Sequence, residues 1–294
     1  MTKSRGNPPQ IQREKCTGCG LCLMACPSFV IDWREDKAEV QRGEWCIGCG
    51  HCGAVCPPEA ILPASGTWEK PWSEKAGLSL SPEALEGLLQ SRRSIRNYAP
   101  DPVPKEVLER ILEAGRYAPT GSNSQNVHYL VLTASEEIQK LKEMTLAFYE
   151  RLFAWARGRW SHVLLSLWAG RKTVDYLRRT LPKVQYAYGR MQEGRDILFY
   201  HAPALILTHA ESWDSSSPFN CAVALYHASL MAHSLGLGCC FNGFLVNAVN
   251  HEKKIKRWLK IPGDHRCYAA MTLGYPKVKY LRGVPRESPK VTWR

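Results

Sequence analysis

Polar and apolar positions divide the chain into two regions of different texture. Near the N-terminus, Val30-Ile-Asp-Trp33 and Ala38-Glu-Val40 are short β-rich runs on either side of the polar turn 34–37, which predicts a small hairpin. From Ser81 onward the pattern becomes helical. Ser81-Pro82 reads as an N-cap followed by proline at the first helical position, and Leu85, Leu88 and Leu89 carry an apolar stripe up to Gln90. Pro104 opens a second helix with Val107, Leu108, Ile111 and Leu112 on one face, ending around 115–119. His128-Tyr-Leu-Val-Leu-Thr133 is a buried strand by its continuous apolar run. Between Glu136 and about Tyr188 two stripes run side by side. Leu141, Met144, Phe148, Leu152 and Trp155 form one; Tyr149, Phe153, Ala156 and Trp160 form the other. Two adjacent stripes predict a helix buried on more than one side. A strand at Ala204–Thr208, a helix from about Pro218 to Leu235 capped by left-handed Gly236, and a strand at Cys267–Leu273 follow. The basic, proline-broken stretch 274–294 reads as an extended arm.

These patterns predict a small module over residues 1–62, a Pro/Gly/Ser-rich linker over 63–80 and a larger domain over 81–294. The apolar content of the first module is thin for a core, so it needs staples.

Its cysteines supply them. Cys16, Cys19, Cys22 and Cys26 precede Pro27; Cys46, Cys49, Cys52 and Cys56 precede Pro57. Each run reads C-x2-C-x2-C-x3-C-P, which wraps three thiolates round one iron–sulfur cube and sends the fourth to the other cube. The expected ligand sets are therefore Cys16, Cys19, Cys22 and Cys56 for one [4Fe–4S] cluster, and Cys46, Cys49, Cys52 and Cys26 for the other. Glycines at 18, 20, 48 and 50 suit a backbone bent tightly around a cluster. Two rivals are zinc ribbons, which use paired C-x2-C knuckles, and disulfides, which need an oxidising compartment.

The chain has 294 residues and a formal charge of +12. The longest apolar runs, such as Val163–Trp168, are far too short to span a membrane, and the polar N-terminal residues lack the core of a signal peptide. With this many thiols the expected location is reducing and cytoplasmic. The positive charge counts neither thiolates nor cofactors. Cations that hold cofactors, form a solvated face or steer an acidic electron carrier account for it, and no nucleic-acid reader motif is visible.

Chemistry in the larger domain concentrates at a few places. Arg92-Arg93-Ser94-Ile-Arg96 sets three guanidiniums and a hydroxyl within five residues, which suits a phosphate as well as it suits a solvated turn. Pro119-Thr120-Gly-Ser122-Asn123-Ser-Gln125-Asn126 is dense in amides and hydroxyls that can address a ring of carbonyls and nitrogens, though its Pro and Gly also suit a plain turn. Gly236-Leu-Gly-Cys-Cys-Phe241-Asn242-Gly243 permits close backbone approach to a flat ligand, and Arg282 and Arg286 add cations on the arm.

In the order R-R-S-x-R, A-P-T-x-x-N-x-Q, G-L-G-C-C and L-G-Y-P-x-x-K, residues from about 85 to the end resemble the FMN-dependent nitroreductase family, and the N-terminal part resembles bacterial two-cluster ferredoxins. Together they are similar to ferredoxin–nitroreductase fusions of anaerobes. The resemblance implies an α+β fold with a mixed sheet flanked by helices, and a homodimer with two FMN sites at its interface. It implies that Arg92, Arg93, Ser94 and Arg96 bind the phosphate and ribityl end. Pro119, Thr120, Ser122, Asn123 and Gln125 would line the ring or ribityl chain from the partner subunit. Phe241, Asn242 and Gly243 would present backbone to the flavin, and Arg282 and Arg286 would close over the phosphate. The chain departs from the family at Asn126, where proline is commoner, and at Cys239-Cys240. Its 140–195 stretch is long for the family and is the expected seat of substrate choice.

Gly48-x-Gly50-x-x-Gly53 spells a dinucleotide fingerprint but lies inside a cysteine run, without the strand and helix that motif needs. Cys221, Cys239, Cys240 and Cys267 read as buried small hydrophobes rather than a third metal site. His201, His209, His227 and His233 show no ligand spacing. Trp155, Trp160 and Trp168 read as core or dimer contacts before a substrate roof. The functional expectation is an iron–sulfur flavoenzyme. A low-potential donor, ferredoxin before NAD(P)H, feeds two clusters, FMN and then a small organic acceptor such as a nitroaromatic. An ene, quinone or dehalogenating reductase on the same fold and a redox module without its own substrate are the alternatives. No residue stands out as the proton donor.

Overall fold

The computed structural model describes residues 8–63, 80–156, 186, 189, 191 and 193–294. Residues 64–79 of the expected linker, and the predicted helical stretch beyond 156 with Trp160 and Trp168, lie outside the described residues, as do the side chains of Phe153 and Trp155. The chain divides into two compact units. One holds Met1–Ser81 together with Thr120–Gln125; the other holds Pro82–Pro119 and Asn126–Arg294.

In the first unit β1 (Gln10–Ile11) pairs antiparallel with β4 (Ile61–Leu62), and β2 (Ile31–Arg34) with β3 (Lys37–Val40). The β2–β3 turn places Glu35 and Asp36 at φ 45 and 59, the left-handed pair that a two-residue hairpin demands. Two short helices, α1 (Leu21–Ala25) and α2 (His51–Ala54), each begin directly after a glycine pair with positive φ: Gly18 and Gly20, then Gly48 and Gly50. The apolar core is small: Val30, Ile31, Ala38 and Ile61 around Cys22.

The second unit is built on a sheet in the order β5-β6-β8-β7. Its strands are β5 (His128–Leu132), β6 (Ala204–Glu211), β7 (Gly238–Phe241) and β8 (His265–Gly274), all paired antiparallel. A parallel bridge from Ser94 to Cys239 along β7 gives the sheet its mixed character. Along β6, Leu205 and Leu207 enter one core while Ala204 and Ile206 enter the other, as a period of two requires. The first core lies under α5 (Ser135–Ala156), α7 (Gly243–His251) and α8 (Lys253–Trp258), through Leu141, Leu245, Val249 and Ile255. The second lies under α4 (Lys105–Arg116) and α6 (Ser217–Ser234), through Leu108, Ile111, Leu225 and Ala228. α6 presents small residues, Cys221, Ala224, Ala228 and Ala232, all buried, which lets it lie close on the sheet. The fold is thus helix, sheet, helix. α3 (Pro82–Ser91) buries none of its residues and leaves Leu85 and Leu89 exposed.

The four cysteines outside the quartets are all buried, and burial above all pushes the thiols of Cys221 and Cys267 up to about 12. Among the described residues no helix is long and apolar enough to cross a membrane.

Three histidines from three neighbouring strands meet at one end of the sheet. His128 and His209 are direct partners in the β5–β6 register, and His209 Nδ1 shares a hydrogen bond of 2.9 Å with His265 Nδ1. Burial, then the positive ends of His128, His265 and Lys256, lower His209 from 6.5 to about 4. The unfolded chain therefore binds this proton first, so stability falls as pH drops from 6.5 towards 4. His209→Gln is expected to flatten that part of the curve in thermal denaturation of the anaerobic protein. A variant curve parallel to the parent would remove His209 as the cause.

Candidate functional site

Cysteines from both runs lie close together in the N-terminal unit. Cys16, Cys19, Cys22 and Cys56 line one small cavity with Ile11, Ala38 and Ile61. Cys52 is surrounded by Cys49, Cys26 and Cys46, and burial first, then these three thiols, raise it to about 11. Cys22 is likewise pushed up by burial, with Cys56 and Cys16 adding to it. Crowded sulfurs that resist ionisation on their own become stable thiolates when a cationic core neutralises them. The backbone meets the same need by aiming N–H groups at sulfur. Val30 N donates to Cys26 Sγ at 3.4 Å, Gly48 N to Cys46 Sγ at 3.4 Å and Ala60 N to Cys56 Sγ at 3.3 Å. Both sets therefore fit an iron–sulfur cluster, the N–H groups being the kind that tune it.

In the other unit, α3 delivers the arginine run to the edge of β7. Ile95 N donates to the Cys239 carbonyl at 3.0 Å, and the bridge at Ser94 fixes the register. Tyr98 locks the far end, its buried hydroxyl bonded to Thr272 Oγ1 at 2.7 Å and to the Ile95 carbonyl at 2.8 Å. Among the described residues Arg92 Nη1 and Arg93 Nε are buried with no hydrogen-bond partner, while Arg93 Nη1 donates to the Gln90 and Arg92 carbonyls. An unpaired buried donor costs about 1–3 kcal/mol, more when charged, so these two N–H groups call for an anion. Ser91 Oγ and His233 Nε2 share a bond of 2.8 Å beside them, and burial followed by the charges of Arg92 and Arg93 holds His233 below its ordinary value. Arg96 lies over the ring of Tyr200, 6.0 Å from its centroid.

Tyr200 and His201 both adopt positive φ, 59 and 58, a strained state for such side chains. Asp196 supports them: its nearly buried carboxylate accepts from the backbone N–H of Leu198, Phe199 and His201 and lies 3.5 Å from Lys142. Ser91, Tyr200 and His233 were not foreseen from the sequence. Ser91 adjoins the arginine run, but Tyr200 and His233 are far away in the chain and only the fold brings them to it.

The loop Thr120–Gln125 groups with the cysteine unit rather than with its neighbours in sequence. Asn123 Nδ2 donates to the Ile47 carbonyl at 3.1 Å, between the first two cysteines of the second run. Gln125 Nε2 donates to Asn123 Oδ1 at 3.2 Å, and Gln125 N to Thr120 Oγ1 at 3.0 Å. Ser122, Asn123 and Gln125 all take positive φ. Pro119, Ser122 and Gln125 are exposed. Asn126, buried at the loop's exit, donates to Glu211, Asp214 and Ser217 and accepts from Asn220.

Asn242 caps α7: its Oδ1 accepts from Leu245 N and its Nδ2 donates to the Leu198 carbonyl. That side chain is spent on the fold, while Phe241 and Gly243 on either side are exposed. Arg282 and Arg286 are exposed on the C-terminal arm.

A family model described as the nitroreductase family matches residues 89–275, and one described as a 4Fe-4S dicluster domain matches residues 9–62. The chain is 26% identical over 212 residues to a 4-nitrobenzoate reductase of Nocardioides sp., covering 67% of this chain and 83% of that one. Among solved structures it is similar to an FMN-bound nitroreductase of Bacteroides fragilis, at 24% identity and a TM-score of 0.51 over 72% of this chain and 98% of the other. An FMN-bound nitroreductase of Desulfitobacterium hafniense gives a TM-score of 0.52 at 21% identity over 72% and 100%. The class is therefore an oxidoreductase of the nitroreductase kind that carries a 4Fe–4S domain. The chain belongs to the nitroreductase family, fused behind a ferredoxin-like 4Fe–4S domain.

The bend at Gly18 is a place to test the cluster fit. At φ 72, a Cβ there would meet the Asp36 carbonyl oxygen at 2.5 Å. Gly18→Ala is expected to open the first cysteine loop and lower iron and sulfide to about half. Full iron content in that variant would show the loop to be tolerant.

Proposed function

We propose that this chain is an iron–sulfur flavoenzyme that takes electrons singly from a low-potential donor protein such as ferredoxin, passes them through two [4Fe–4S] clusters to FMN, and reduces a small organic acceptor, with nitroaromatics first in line. The observation that carries the flavin half is the pair of buried, unpartnered N–H groups on Arg92 and Arg93. A flavin phosphate supplies the anion they lack, by charge-assisted bonds. Ser94 and Arg96 extend that grip, and Ser91 and His233 add a hydroxyl and an imidazole at its rim. Bound FMN accepts electrons one at a time and delivers two together, which is the exchange such an enzyme needs.

The remaining roles follow the same reading. Pro119, Thr120, Ser122, Asn123 and Gln125 address the ring or ribityl chain, and Phe241 and Gly243 offer backbone beside it, with Asn242 holding that corner in shape. Arg282 and Arg286 close over the phosphate from the arm. The protein works as a homodimer, and the exposed Leu85 and Leu89 stripe on α3 is apolar surface that a second copy covers. The acceptor class is supported by the similarity to 4-nitrobenzoate reductases. Eight cysteines in two complete sets support a count of two clusters.

Replacing Arg92 and Arg286 together by Ala is expected to release FMN on purification; unchanged flavin content would remove them from the site. Cys49→Ser is expected to abolish ferredoxin-driven turnover while FMN stays bound, and persistent turnover would sink the electron route. A panel of nitroaromatics, quinones and activated alkenes added to the anaerobically reduced protein tests turnover itself. Reoxidation of the reduced protein no faster than its blank with every acceptor would favour an electron-transfer module without a substrate of its own.

A further inference from the structure

The contacts of Asn123 and Arg42 reach beyond the loops they join. The Ile47 carbonyl and the Gly48 N–H belong to one planar peptide group. Asn123 donates to that carbonyl at 3.1 Å, and the same group's N–H donates to Cys46 Sγ at 3.4 Å. A donor on the carbonyl oxygen draws electron density from nitrogen and polarises the N–H, so the two bonds strengthen each other. Gln125 Nε2 extends the series by donating to Asn123 Oδ1 at 3.2 Å.

A second series has the same design. Arg42 Nε donates to the Phe29 carbonyl at 2.7 Å, and the N–H of that peptide, on Val30, donates to Cys26 Sγ at 3.4 Å. Arg42 is held in place by Asp32 at 2.9 Å and by the ring of Trp45, 5.4 Å from its centroid.

Both series end on sulfurs of the same set: Cys46 and Cys26 belong with Cys49 and Cys52. In the other set, among the described residues, Cys56 Sγ accepts an N–H from Ala60 at 3.3 Å, and the backbone N–H groups of Cys22 and Leu23 serve the Cys22 sulfur without a side-chain donor behind them. Among the described residues no hydrogen bond reaches the Glu59 carbonyl of the Ala60 peptide. Hydrogen bonds to cluster sulfurs, and positive charge near them, stabilise the reduced, more negative state.

Resting on the two-cluster reading above, we infer that Asn123 and Arg42 raise the potential of the cluster held by Cys46, Cys49, Cys52 and Cys26 above that of its neighbour, which makes it the cluster that fills first and hands electrons on. With clusters bound, this asymmetry would favour transfer of a single electron from the cluster held by Cys16, Cys19, Cys22 and Cys56 to the one held by Cys46, Cys49, Cys52 and Cys26, with no proton moved. One series starts on the Thr120–Gln125 loop, whose amides are proposed above to address the flavin. The higher-potential cluster is thus the one tied to that loop.

The test is an anaerobic potentiometric titration of the full-length holoprotein followed by electron paramagnetic resonance. The parent is expected to show two one-electron steps. In Asn123→Ala the upper step is expected to fall by about tenfold in its equilibrium constant, about 59 mV for one electron, with the lower step unmoved. Arg42→Gln, which keeps a donor but loses the charge, is expected to lower the same step independently, so one variant that does not accumulate leaves the other to decide. Asn123→Asp, an anion that cannot donate, is expected to lower it further than Ala does. Movement of the lower step, equal movement of both, or no movement in either series overturns the inference. A parent with fewer than two reducible clusters would instead remove the reading on which it rests.

Discussion

Sulfur crowding is the constraint on which the N-terminal unit depends. Four residues, Val30, Ile31, Ala38 and Ile61, are too little apolar surface to hold two hairpin-sized sheets together. The cysteines fill the space around them, yet burial and mutual proximity hold Cys22 and Cys52 as reluctant acids. Without a cationic core these side chains are small hydrophobes with weak donors. With one, each set becomes a crosslink between segments far apart in the chain, since Cys56 joins Cys16 and Cys26 joins Cys46. On the two-cluster reading, exchange of the fourth cysteine between runs would make folding and cluster assembly one event.

The larger unit obeys a different logic. Its stability comes from a sheet buried on both faces, and the residues proposed to hold a ligand lie where that arrangement stops, at the edge of β7 and the turn before β6, while the loop before β5 belongs with the cysteine unit. At each of these places the structure holds something that local preference would not. Among the described residues two buried guanidinium N–H groups lack acceptors, Tyr200 adopts positive φ, and Ser122, Asn123 and Gln125 do the same without glycine. Buried polar knots at Asp196 and Asn126 supply the hydrogen bonds that keep these states in place. Strain and its support occur together, as expected where backbone is shaped for a ligand.

Much of this could be read from the sequence, and the exceptions have physical reasons. The cysteine runs were legible because a cluster imposes a fixed spacing, the helix around Leu108 because its apolar period survives in any context, and the helix around Leu225 because proline opens it and left-handed Gly236 closes it. β7 was missed because Gly238 and two cysteines carry little strand preference; its neighbours in the sheet decide its state. α7 and α8 were missed because each is short and its cap, Asn242 or Glu252, is a single polar residue among many. The meeting of His128, His209 and His265 depends on strand register, which no spacing in the chain encodes. The grouping of Thr120–Gln125 with the cysteine unit, through contacts such as Asn123 to the Ile47 carbonyl, was not legible, because the loop's composition suggested a ring-binding loop or a plain turn and named no partner segment.

The peptide groups at Phe29–Val30 and Ile47–Gly48 have a consequence for how such a protein can diverge. Main-chain amides transmit the effect of Arg42 and Asn123 whatever side chains occupy the positions between. Electron affinity in this unit can therefore be adjusted through two residues that touch no metal, leaving the ligands and the bend around them untouched. A lineage could shift to a weaker or stronger reductant by exchanging one amide or one guanidinium, without ever passing through a form that fails to assemble its inorganic core.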